Sequence, residues 1–350
     1  LLPLRGHSNV QGIGSMGATP ELKERVCRAI EERFGVTLPK GKGLDTLACV
    51  AKADGGGVKF AMHLGGNLFG SCPDAAMATR ALRKIGMTVF MSTTLNTGHV
   101  HGRGVESIVL PVRARDEEPE ATTQESMFNF VRMSDGGPAR YEGPLGEVQV
   151  ISAIARRVLG EGSPVDFVEL EKHSNLRAAI AAIVPGYEPM STMDATKKEF
   201  HVEGRVRHDA KFTTLTERAR FHAPDAPVHA ARGPRELSLM TIRSEGQFNT
   251  VVYEEEDVYR GVDRRDVIMM AGADIARLGL RIDDRVTVRS EVGEMSDLRV
   301  REIAIRAGNA AMYYPEANVL VPARIDPESR TPAFKHVRVT VEKRVSLPMA

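Results

Sequence analysis

Cysteine is scarce in this chain, and net charge is nearly absent. Three cysteines, Cys27, Cys49 and Cys72, are spread over 350 residues with no C-x-x-C pair among them. An iron–sulfur cluster needs more thiolates than these, and zinc needs closer ligands, so neither is built from them alone. Reduced, buried thiols are the reading that fits, and they suit a cytoplasmic compartment. Lys+Arg 47 against Asp+Glu 46 leaves a formal net charge of +1. That balance gives no electrostatic footprint for nucleic acid or an anionic membrane, so neither is an expected partner. No stretch of about 18 apolar residues occurs, so no bilayer-spanning helix is expected. The opening Leu1-Leu2-Pro3-Leu4-Arg5 reads as neither a signal peptide nor a twin-arginine leader. Internal repeats and low-complexity tracts are also missing.

What is present reads as an ordinary globular composition, 42% hydrophobic and 27% charged. The length exceeds what one core usually serves, so two domains are expected. In the first part, helical and strand patterns alternate. Thr19-Pro20 predicts a capped helix whose face carries Leu22, Val26, Ile30 and Phe34, ended by Gly35. Strands are predicted at 58–62, 87–91 and 107–110, with a helix from Pro73 to Ile85 between the first two. This βαβ order argues for a parallel sheet. Helices at 147–159 and 166–184 follow, and then a Pro-, Gly- and His-rich stretch, 185–234, reads as a linker. Beyond it, short strands at 237–242, 267–270, 286–289, 298–305 and 337–341, with one short helix at 273–279, favour a closed β-barrel.

Four local patterns carry candidate chemistry. Gly12-Ile13-Gly14-Ser15-Met16-Gly17 satisfies G-x-G-x-x-G. A nicotinamide turn would also need a clean strand before it and an acidic residue about 20 positions on. The polar run before Gly12 and the charged helix around Glu31 supply neither. Leu64-Gly65-Gly66-Asn67 follows a strand and precedes a helix, so it is either a phosphate-binding loop or a tight βα turn. His99-Val100-His101 has metal-ligand spacing without an evident third ligand, and a polar loop near Arg103 is the expected alternative. Glu254-Glu255-Glu256-Asp257 reads as a solvated acid run.

Several of these segments, taken in order, resemble the molybdopterin-dependent oxidoreductases of the DMSO reductase superfamily. The closest likeness is to the C-terminal half of formate-dehydrogenase alpha subunits. Leu4-Arg5-Gly6-His7-Ser8-Asn9-Val10-Gln11-Gly12 with Met16-Gly17 resembles that family's L-R-G-x-N-N-V-Q-G…M-G segment. Leu64-Gly65-Gly66-Asn67 resembles its G-G-N-P loop, and Ile108-Val109-Leu110-Pro111 the strand after it. Thr241-Ile242-Arg243 resembles its T-x-R strand, and Asn318-Val319-Leu320 its N-x-L. The segment from Asp326-Pro327 to Phe334-Lys335 resembles D-P-x-S…P-x-Y/F-K. His7 and Ser107 depart from the pattern; the family commonly has a guanine-anchoring aspartate at the second position, where Glu106 is the nearest acid.

The resemblance implies an α/β fold: a parallel-sheet, Rossmann-like domain at 1–230, including the linker from 185, then a double-psi-type β-barrel at 231–343. It implies bis-molybdopterin guanine dinucleotide with molybdenum or tungsten. The iron–sulfur cluster and the metal ligand are expected only in an N-terminal part outside this sequence. It places Arg5 at the substrate, where a guanidinium would hold a carboxylate such as formate through paired hydrogen bonds. It puts Gly65, Gly66 and Asn67 against the dinucleotide, Arg243, Asn318, Phe334 and Lys335 along the pterins, and Gln247, Phe248 and Asn249 where the barrel nears the metal. The implied reaction is two-electron oxidation of formate to carbon dioxide, passing electrons to an unidentified partner. Oxo transfer on the same scaffold and a non-catalytic cofactor-binding module are the alternatives.

Overall fold

A computed structural model describes residues 9–203, 211–223, 225 and 231–344. Arg5 and His7 therefore lie outside the described residues. By contact density the chain divides into two units, each assembled from two segments: Leu1–Asp45 with Leu110–Ala226, and Thr46–Val109 with Pro227–Ala350. The domain reading from sequence put residues 46–109 with the first domain; contacts group them with the barrel instead.

Unit one begins with α1 (Val10–Ser15), entered through Asn9 in the left-handed conformation at φ 61. Gly12 thus lies inside a helix, and among the described residues the strand–turn–helix of a nicotinamide site is not formed. Its lack of a side chain serves packing: a Cβ at Gly12 would sit 2.0 Å from Asn9 Oδ1. The next helix, α2 (Glu24–Phe34), starts after Lys23 and not at the predicted Thr19-Pro20. The Thr19 hydroxyl instead donates to the Glu21 carbonyl at 2.9 Å, closing a local turn that competes with capping. The predicted stop holds: Gly35 is left-handed at φ 63 and its N–H reaches Glu31 O.

Unit two opens with α3 (Thr46–Asp54), β1 (Phe60–Leu64), α4 (Leu68–Ser71), α5 (Ala75–Leu82), β2 (Met87–Ser92), α6 (Gly98–His101) and β3 (Glu106–Pro111). β1 and β2 run parallel, with Phe60 opposite Met87 and Leu64 opposite Met91, and the sheet order is β1-β2-β3. Val50, Ala53, Ala78, Ala81, Leu82 and Ile85 form the core beneath it. The alanines let α3 and α5 approach each other closely.

The chain then returns to unit one as β4 (Thr122–Glu125), β5 (Phe130–Ser134), α7 (Glu147–Leu159), α8 (His173–Ile183), α9 (Met190–Thr196) and β6 (Phe200–His201). Here the predicted linker is partly wrong. Tyr187, Met190, Met193 and Val202 are buried and form this unit's core with Val131 and Val184. Met190 and Met193 share one face of a short helix, a period too brief to register against the surrounding Pro and Gly.

The rest of unit two is a closed six-stranded barrel of β7 (Glu236–Ile242), β8 (Val267–Met270), β9 (Arg285–Arg289), β10 (Glu294–Glu302), β11 (Asn309–Tyr313) and β12 (Val337–Lys343). The short helix α10 (Gly272–Arg277) follows β8. Leu237, Leu239, Ile268, Met270, Ala310 and Met312 point into the barrel. The alternate residues Val267, Met269, Ala311 and Tyr313 pack with Val262 in a second cluster. β8 and β11 are covered on both faces, which is why β8 reads as an unbroken apolar run. Among the described residues, no helix is long and apolar enough to cross a membrane.

Candidate functional site

The best-defined constellation of predicted residues lies within unit two. It starts at the carboxyl end of β1, where open parallel sheets bind ligands. Gly65 and Gly66 are consecutive left-handed residues at φ 62 and φ 70, with nothing within 4 Å of where a Cβ would stand. Backbone conformation and not crowding requires glycine there. Gly65 N–H continues the ladder to Met91 O at 2.8 Å, and Asn96 Nδ2 donates to Gly66 O at 3.0 Å.

Asn67 is 7% exposed, and its side chain is engaged by protein groups. Oδ1 accepts from Gly70 N–H at 2.8 Å, while Nδ2 donates to Thr97 Oγ1 at 2.8 Å and to Thr250 O at 3.2 Å. Asn318 completes the grip, since its Nδ2 donates to Gly70 O at 2.9 Å. Two asparagines expected against the cofactor thus hold both backbone groups of one glycine. What the loop itself offers a ligand is the open backbone of Gly65 and Gly66. The helix that follows, α4, is only four residues long, so little dipole is added there.

The Thr250 contact leads into the barrel loop that follows β7. Gln247 braces that loop from inside: Oε1 accepts from Ser244 N–H at 3.0 Å, and Nε2 donates to Asn249 O at 2.8 Å and Tyr314 O at 2.7 Å. Asn249 is left-handed at φ 51, and Tyr314 O–H donates to its Oδ1 at 3.1 Å. Phe248 is 58% exposed at the loop tip. Arg243 leaves the end of β7 with its guanidinium 5.9 Å from the centre of the Tyr314 ring.

Lys335 joins Arg243 because of strand pairing. Phe334 packs on the barrel core, and its carbonyl accepts from Thr241 N–H at 3.0 Å and Thr241 Oγ1 at 3.2 Å. The next residue, Lys335, donates its ammonium to the Thr241 carbonyl. Burial first, and then the neighbouring Arg243 charge, hold the Lys335 pKa below the usual lysine value. Among the described residues, no carboxylate pairs with Lys335. Arg243 and Lys335 are both exposed, and they lie close enough for their charges to interact; an anion beside Lys335 would offset that repulsion. A separate groove on the barrel wall contrasts with this. Its Arg289, Arg324 and Arg338 are ion-paired with Glu294, Glu291 and Glu236.

Beside the glycine loop, His63 stacks on Phe90 and His99 meets Phe90 edge to face, with ring centroids 4.9 Å apart in each pair. His99 Nδ1 accepts from Asn96 N–H at 2.9 Å, and His101 packs on Phe69. The H-x-H pair thus braces the loop, and among the described residues no group of three metal-binding side chains occurs. The acid run reads differently from expectation at one position. Asp257 is fully buried and accepts from Tyr313 O–H at 2.8 Å, whereas Glu254, Glu255 and Glu256 are exposed. Sequence reasoning also missed Thr250, Tyr314 and Asn96, whose roles depend on partners remote in the chain.

Comparison with known proteins bears on this constellation. The family model described as the Molydopterin dinucleotide binding domain matches residues 237–338. An uncharacterized oxidoreductase of Mycobacterium tuberculosis (strain ATCC 25618 / H37Rv) is 34% identical over 360 residues, covering 97% of this chain and 46% of its own length. Protein YdeP of Escherichia coli (strain K12) is 25% identical over 365 residues, covering 98% and 47%. The chain therefore spans about half the length of these relatives. Among solved structures, the acetylene hydratase from Pelobacter acetylenicus superposes with a TM-score of 0.63 at 14% identity, over 95% of this chain and 50% of that one. At that identity the likeness concerns the fold.

Proposed function

We propose that this chain, whose residues 237–338 match the Molydopterin dinucleotide binding domain and which is 34% identical to an uncharacterized oxidoreductase, belongs to the molybdopterin-dinucleotide-binding oxidoreductases and is the cofactor-holding part of a bis-molybdopterin-guanine-dinucleotide enzyme that oxidises formate. The observation that carries this reading is the Lys335 ammonium, held beside the like charge of Arg243 and with no carboxylate pairing with Lys335 among the described residues. A polyanionic dinucleotide would remove their repulsion. In this reading the backbone of Gly65 and Gly66 meets phosphate oxygens, and Arg243 and Lys335 balance negative charge. Phe248, Asn249 and Phe334 lie along the cofactor, while Asn67, Gln247 and Asn318 keep the two loops in place. When bound, the molybdenum or tungsten of the cofactor would supply the two-electron chemistry. Arg5, outside the described residues, keeps the role the resemblance implies: its guanidinium orients the formate carboxylate.

The finer architecture proposed with it is a Rossmann-like sheet domain and a double-psi-type barrel. An iron–sulfur cluster, the metal ligand and the electron partner's surface are assigned to a longer polypeptide, in a cytoplasmic setting. The test is to express the chain in a host that makes the cofactor, purify it, and measure released pterin and guanine nucleotide. Retention of both, lost in Arg243→Met and Lys335→Met, is the expected result. A folded chain that retains neither overturns the reading. The reaction is read in the longer polypeptide: formate-dependent dye reduction supports it. Reduction of an oxo substrate without formate oxidation would replace it with oxo transfer.

A further inference from the structure

Arg265 stands just ahead of β8 and is 4% exposed, although no sequence motif singled it out. Its guanidinium is surrounded. Nε and Nη2 form a fork on the Glu316 carboxylate at 2.7 and 2.9 Å. Nη1 donates to Ser244 Oγ at 2.8 Å, and Nη2 donates to Tyr314 O at 2.7 Å. Its Cζ lies over two rings, 4.3 Å from the Tyr253 centroid and 4.9 Å from that of Tyr313. Ser244 opens the loop that carries Gln247, Phe248 and Asn249, and Tyr253 lies just beyond its other end. Arg265 thus ties both ends of this loop, and the Tyr314 backbone, to one buried charge.

The buried Asp257 adds a second tie. It accepts from Glu245 N–H at 3.3 Å and from Arg260, whose Nη1 also donates to the Arg243 carbonyl at 3.1 Å. We infer that Arg265 is a positioning residue: it holds the 244–252 loop, and through Tyr314 the Arg243 side, in the arrangement that receives the cofactor. This rests on the proposed cofactor reading for its purpose, though not for its geometry. Only a guanidinium can fork onto a carboxylate, donate to two further oxygens and lie over two rings at once. A lysine presents a point charge and lacks that fork.

The test compares amide hydrogen exchange in the whole chain and in Arg265→Lys, together with retained pterin. Exchange across 244–252 should rise about tenfold or more, as expected when charge-assisted hydrogen bonds are lost. Amides of β7, β8 and β11 should keep their rates, and pterin retention should fall. Unchanged exchange in the loop overturns the inference. So does a rise spread evenly over the barrel, since that is the signature of general destabilisation. If Arg265→Lys does not fold, Glu316→Gln, which keeps an acceptor opposite Arg265, is judged by the same two criteria. Should the unmodified chain retain no pterin, the cofactor reading fails, while the exchange comparison still decides whether Arg265 positions the loop.

Discussion

Replacing Asn67 with alanine removes three hydrogen bonds, and the structure says which of them matter. Thr97 is exposed, so its hydroxyl regains water and little is lost there. Gly70 N–H and Thr250 O are buried and would be left without that partner. An unsatisfied buried backbone group costs about 1–3 kcal/mol, and loss of an N-cap side chain about 1 kcal/mol. Because the cap and the Gly70 N–H are the same interaction, the sum is roughly 2–4 kcal/mol. For a folding unit of this size that lowers Tm by about 5–15 °C. The assay is urea and thermal unfolding followed by circular dichroism for Asn67→Ala, Asn318→Ala and the double variant. Both side chains grip Gly70, so the second loss should weigh less after the first, with a coupling of about 0.5 kcal/mol or more. A single variant within about 0.5 kcal/mol of the parent, or strict additivity, would refute the view that these asparagines clamp one glycine.

Gly66→Ala should cost about 1–2 kcal/mol from its left-handed backbone alone, because open space around the site adds no clash; urea midpoints measure it. Binding of inorganic pyrophosphate, followed by calorimetry, should be tightest while Lys335 is protonated and weaken as pH rises through its lowered pKa. In Lys335→Met, affinity should fall about tenfold or more and that part of the pH dependence should vanish. In unit one, Tyr187→Phe removes an O–H donor from the buried Glu125 carboxylate, which Ser15 and Asn129 also bind. A destabilisation of about 1.5–3 kcal/mol is expected; a neutral result in chemical denaturation would mean that the remaining donors suffice.

Local pattern determined the regular elements. The helix at 147–159 and the strand at 267–270 fall where periodicity and apolar continuity put them, and Gly35 ends its helix through its own φ. These signals need only neighbours within a few residues. The resemblance also drew Gly65, Asn67, Arg243, Asn318 and Lys335 into one list, although nothing local links them. Tertiary structure decided what each side chain does. Asn67 finds Thr250 across 183 positions, and Asn318 finds Gly70 across 248. A polar group's role is set by the partner that satisfies it, and sequence does not display a partner so remote. The same reason explains the misreadings. Asp257 belongs to an acid run by composition, yet it is buried because Tyr313 O–H and Arg260 reach it. Met190 and Met193 sit among linker-like residues, yet they fill unit one's core because α8, β5 and β6 close around them. Arg265 has no motif at all; burial against two tyrosines and a carboxylate gives it its part.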